Sequence, residues 1–146
     1  MNSDSSESTG TSSRTQPESF RGRALSASLT VNDLQKSLTW YRDVLGFTVE
    51  SQYEHDGKAF AVSLKAGAVQ ILIGQDDGAK GMDRVKGVGF SLQITTAQNV
   101  DEIAKRIKER GGRLELEPTT TRWGPRIIRL RDPDGFALTI SSVPAA

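Results

Sequence analysis

The sequence has no cysteine and a single histidine, His55, in 146 residues. The first absence excludes disulfides, thiol nucleophiles, iron–sulfur clusters and cysteine-ligated zinc. The second leaves metal binding or acid–base chemistry to carboxylates, amides, hydroxyls or that one imidazole. An excess of either charge is also missing, since 19 Lys and Arg stand against 18 Asp and Glu. Bulk electrostatics therefore point to neither nucleic acid nor a membrane surface. No apolar run approaches a membrane span or a signal-peptide core, so a cytoplasmic protein is expected.

Residues 1–19 are rich in Ser and Thr and show no apolar periodicity. Such a segment buries too little surface to offset its ordering entropy, and a disordered tail is expected there. Residues 20–146 read as one domain built from an internal repeat. Module one spans 24–73, a polar, glycine-rich linker spans 74–87, and module two spans 88–142. Ala27, Leu29 and Val31 alternate with Ser26, Ser28 and Thr30, which predicts a strand with one apolar and one hydroxylated face. Asn32 and Gln35 suggest an N-cap and its capping-box partner for a helix carrying Leu34, Leu38, Tyr41 and Leu45, stopped by Gly46. Three strands follow, with a hairpin turn at His55-Asp56-Gly57. The pattern then recurs, with Asn99 and Glu102 as the capping pair, a helical stripe of Val100, Ile103, Ala104 and Ile107, and Gly111 as the stop.

The second module closes on Leu130-Arg131-Asp132-Pro133-Asp134-Gly135-Phe136, a turn between β-forming stretches. Beyond it Phe136, Leu138 and Ile140 alternate with Ala137, Thr139 and Ser141. The expected architecture is α+β: two βαβββ modules forming one curved eight-stranded mixed sheet, with the helices on its outer face. Positions 26, 28, 30, 89, 91, 93, 137, 139 and 141 would then face the concave side.

On that side Ser26, Ser28, Ser91, Gln93 and Thr139 could hydrogen-bond a neutral polar ligand. Trp123 precedes a strand and reads equally as a cavity wall or as core packing. Arg126 and Arg129 could recognise a carbonyl or an anion, although exposed edge-strand charge is the simpler reading of each. Alternation puts Arg129 and Arg131 on one face with Ile127, and Arg126 on the other. His55, at a hairpin tip, reads as a solvated turn residue, and Glu50, Glu54, Asp76 and Asp77 read as solvated charge. No base is positioned to activate a serine.

The run from Leu29 through Asp33, Leu34, Trp40, Tyr41 and Gly46 to Phe47 resembles the first-module signature of the vicinal oxygen chelate superfamily, the glyoxalase, bleomycin-resistance and extradiol-dioxygenase group. Trp123-Gly124 followed by Arg131-Asp132-Pro133-Asp134-Gly135-Phe136 resembles its second-module ending. The resemblance covers about residues 25–142. It implies a glyoxalase-like fold and, in the enzymes, a divalent metal held by two histidines and two carboxylates. Those positions fall on Ser26, Gly89, Thr139 and either Ile71 or Gln70, none of which is a good ligand. The expectation is a protein that binds a small organic molecule in a concave cavity with no metal ligands and no cofactor. The alternative, a lyase, isomerase or dioxygenase with a non-standard metal site or no metal, stays open, and so does a divalent metal. The resemblance also implies a homodimer.

Overall fold

The computed structural model describes residues 20–81 and 83–143; segment 1–19, where a disordered tail is expected, lies outside the described residues. Module one runs β1 (Ala27–Val31), α1 (Leu34–Thr39), a π-helical continuation (Trp40–Val44), β2 (Thr48–His55), β3 (Lys58–Ala66) and β4 (Val69–Gln75). Module two runs β5 (Ser91–Thr96), α2 (Val100–Glu109), β6 (Leu116–Thr120), β7 (Arg126–Arg131) and β8 (Ala137–Ser142). The two halves repeat one topology, with strand orders β1-β4-β3-β2 and β5-β8-β7-β6. In each, the first strand runs parallel to the last and the other pairs are antiparallel.

The α+β architecture of two βαβββ modules is as the alternation predicts. Among the described residues eight strands pair as two four-stranded sheets, and no pairing joins one module to the other to make a single curved sheet. What joins the modules is apolar packing and polar clamps. One core holds Leu29, Val31, Leu38, Tyr41, Val62 and Ile73 from module one together with Ala104, Ile107, Ile128, Leu130 and Leu138 from module two. Trp40 is half-buried against this core and meets Tyr41 edge-on, with ring centroids 4.9 Å apart. Across the modules the Tyr41 hydroxyl donates to Asp132 Oδ2 at 2.8 Å. Asp134 accepts from the Asn32 backbone N–H at 3.0 Å and from the Ser37 hydroxyl at 3.2 Å.

These clamps move one helix start. The N-cap of α1 is Asp33, whose carboxylate accepts from Lys36 N–H, in place of the expected Asn32. The Asn32 amide oxygen instead accepts from Lys86 Nζ at 2.6 Å. Asn99 caps α2 as expected, accepting from Glu102 N–H at 3.0 Å. The turn at Asp56-Gly57 has positive φ at both residues, the hairpin geometry that Asp-Gly favours.

The linker corrects a second expectation, because Asp76 is not solvated charge. Its backbone N–H continues the β1 edge by donating to Val31 O, which carries its side chain inside. There the carboxylate meets Lys86 Nζ at 2.9 Å, and the two side chains are only 2% and 3% exposed. The Lys86 ammonium and the Gly78 N–H hold the Asp76 carboxyl down at about 2. A carboxyl lowered in this way stabilises the fold above its unfolded value near 4, and the contribution is lost as pH falls toward about 2. Asp76→Asn should therefore be less stable than the wild type at neutral pH. The gap in urea midpoints should close on acidification from about pH 5 to about pH 2.

Candidate functional site

Each sheet turns one face to the core, and among the described residues no helix covers the other. In β4, Ile71 and Ile73 are buried in the core, so Gln70 and Leu72 lie on the free face. In β7 and β8, Ile128, Leu130, Leu138 and Ile140 belong to the core, which places Arg129, Arg131 and Thr139 on the free face.

The free face of module one carries a closed polar network. Ser26 Oγ donates to Gln70 Oε1 at 3.0 Å. Gln70 Nε2 donates to Glu50 Oε1 at 2.6 Å and to Ser63 Oγ at 3.2 Å. Ser63 Oγ donates to the same Glu50 oxygen at 3.1 Å. Strand register builds this cluster. Ala27 pairs with Ile71, which sets Ser26 beside Gln70, and a bulge between Val49 and Ser51 turns Glu50 toward Ser63. One Glu50 oxygen is thus shared by two donors, while the other has no donor among the described residues.

Sequence reading missed Glu50, Ser63 and Gln70 as a group. Sequence alone groups Glu50 with the solvated acids, and its place inside a strand is the signal that sets it apart. Ser28 lies on this face and is exposed, opposite Leu72 in the parallel ladder.

In module two the ladder puts Gln93 opposite Thr139, and Thr139 opposite Arg129, forming a row across three strands. Ser91, Ala137 and Arg131 form the next row. Ser91, Gln93 and Arg129 are exposed, whereas Thr139, in the middle of the row, is buried. Arg131 is engaged by Glu115 at 2.7 Å and by the Gly135 carbonyl at 2.9 Å. Arg129 has no ion pair among the described residues.

Two candidates are not brought to these rows. Arg126 lies on the helix side, where its guanidinium donates to both Asp101 oxygens, at 2.7 and 2.9 Å, and to Thr120 Oγ1 at 3.0 Å. That guanidinium holds the Asp101 carboxyl below its ordinary value. Trp123 sits in the β6–β7 turn, closed by Thr121 N–H and Pro125 O, and is 73% exposed; core packing does not describe it. His55 is at the hairpin tip, 3.4 Å from Asp56 and 83% exposed.

The positions implied for a divalent metal do not fit one. Ile71 points into the core. Counted back from the last rungs, Val31 with Gln75 and Thr96 with Ser142, the counterpart of Thr139 in module one is Leu72. The available groups are therefore hydroxyls, an amide, a glycine and an aliphatic chain, where such a metal wants imidazole, thiolate or carboxylate. Among the described residues no three His, Cys, Asp or Glu side chains come together as a possible metal site. No helix among the described residues is long and apolar enough to cross a membrane.

Comparison with known proteins follows the same outline. The family model of the Glyoxalase/Bleomycin resistance protein/Dioxygenase superfamily matches residues 23–140. YraH of Bacillus subtilis (strain 168) is 27% identical over 120 residues, covering 77% of this chain and 91% of its own. A solved member of the same superfamily from Sphaerobacter thermophilus DSM 20745 is 25% identical, with a TM-score of 0.69 over 84% of this chain and 98% of that one. TnmS3, an antibiotic binding protein from Streptomyces sp. CB03234, shares the fold at 20% identity, with a TM-score of 0.68 over 88% of this chain and all of its own.

Proposed function

The chain belongs to the Glyoxalase/Bleomycin resistance protein/Dioxygenase superfamily, and we propose that it binds a small organic molecule on the helix-free faces of its sheets through side-chain hydrogen bonds, with no metal ligand. The observation that carries this reading is the Ser26–Gln70–Glu50–Ser63 network. It fills a sheet face with hydroxyl, amide and carboxylate groups and leaves Glu50 an oxygen free to accept from a ligand. Across the other sheet, Gln93 and Arg129 supply donors for a carbonyl or carboxylate. That TnmS3 is an antibiotic binding protein supports small-molecule binding as a use of this fold.

We also propose a homodimer. Among the described residues β1 and β5 each pair on one side only, and an edge of unpaired N–H and C=O groups is a template for a second strand. Light scattering should then give twice the 15.9 kDa chain mass.

The test is a thermal-shift screen of neutral and anionic polar organic compounds. A binder should raise the melting temperature by mass action and be recovered unchanged. Glu50→Ala and Arg129→Ala should each cut the affinity of a hit about tenfold, the loss of one charge-assisted hydrogen bond. A hit whose affinity ignores both variants would remove these faces from consideration. After incubation with Zn²⁺, Ni²⁺, Fe²⁺ or Mn²⁺ and desalting, elemental analysis should find far less than one ion per chain. Stoichiometric retention would refute metal-free binding.

A further inference from the structure

The helix side of the molecule holds a cavity that none of the candidate ligand-binding residues lines. Where the modules meet, a cavity of about 470 Å³ opens between the end of the π-helical turn, the β3–β4 turn and α2. Val44, Leu45 and Val69 line it from module one, and Ile94, Ile103 and Ile140 from module two. Arg106 and Arg110, four residues apart and so on one face of α2, also line it. Arg110 is close enough to Asp43 to help lower that carboxyl, whose main partner is Arg42. Among the described residues Arg106 has no carboxylate partner, and no acidic side chain lines the cavity.

An aliphatic wall bearing an unneutralised guanidinium is complementary to one kind of occupant. The volume falls within the range of small-molecule sites, about 300–1,000 Å³. A subunit contact would need a broad surface, of the order of 800 Å² per partner. We propose that this cavity is a separate binding site for a small amphiphilic anion, an aromatic or medium-chain carboxylate. Its carboxylate pairs with Arg106, and its apolar body lies against Val44, Val69, Ile94 and Ile103. Guanidinium suits this role because it stays charged and presents a planar fork to a carboxylate.

The full chain is titrated calorimetrically with naphthylacetate and with its neutral and cationic counterparts, naphthylethanol and naphthylethylammonium. Naphthylacetate should bind once per chain, roughly tenfold or more tighter than the alcohol, with the ammonium weakest. Arg106→Gln is exposed enough not to disturb folding. It should erase the preference for the anion while leaving the alcohol unchanged. Ala68→Trp, on the exposed turn lining the cavity, should weaken all three. Absence of saturable binding, or equal affinity for all three compounds, overturns the proposal. So does binding that survives both variants but is lost in Arg129→Ala, which would place the anion on the helix-free face. A fall in the assembly mass of Ala68→Trp would make the cavity a subunit contact and also overturn it.

Discussion

Replacing Asp132 with alanine is expected to lower the unfolding free energy by about 3 kcal/mol, among the larger single-residue effects in this chain. The carboxylate is buried and accepts three bonds: from the Tyr41 hydroxyl at 2.8 Å and from the Asp134 and Phe136 N–H groups, each at 2.9 Å. Alanine leaves those three donors without their acceptor, two of them inside the protein. Burial, reinforced by the charge of Asp132, raises the Tyr41 hydroxyl far above its ordinary value, so at neutral pH it is fixed as a donor. Tyr41→Phe should cost only about 1 kcal/mol, because it leaves the carboxylate its two backbone donors. Urea unfolding of both single variants and of the double variant tests this. The double variant should lose less than the sum, since the second change removes a group the first had already orphaned. Strict additivity would show that the bond joining the modules carries no coupling.

Gly87→Ala should be comparably damaging, by about 3 kcal/mol, through a contact that leaves nothing free to move. A Cβ at this position would stand 2.9 Å from the Gly135 carbonyl oxygen and 3.0 Å from both Phe136 Cα and N. All three are backbone atoms of the turn that Asp132 holds. Gly87 also has φ +75, where an L side chain costs about 1–2 kcal/mol before any contact is counted. Gly89 separates the two terms: its φ is +88, but an added Cβ there meets nothing within 4 Å. Gly89→Ala should therefore show the conformational cost alone in the same urea experiment. Equal losses in the two variants would mean that the linker does not press on the turn.

Both effects belong to the seam between the modules, which is where sequence reading and structure diverge. Asn32 and Asp33 are both good caps one residue apart, and nothing local chooses between them. The choice falls to Lys86, 54 residues away, which takes the Asn32 amide. From the sequence Asp76 reads as any linker acid, and only the fold buries Lys86 beside it. Arg126 could be assigned to the opposite face from Arg129 by alternation, but its partner Asp101 lies 25 residues back, on α2. Glu50 needed a bulge to be aligned with Ser63, and a bulge leaves no trace in a two-residue alternation.

What the sequence determined by itself was which residues share a face. Strand alternation and helical periodicity follow from backbone stereochemistry within a few residues, and the hydroxylated face of β1, the stripe of α2 and the repeat can be read directly. Tertiary structure alone decided which faces meet. Register, the docking of one module on the other and the burial of Asp76 and Asp132 depend on side chains dozens of residues apart. Their energy is realised only when the shared core excludes water from all of them together.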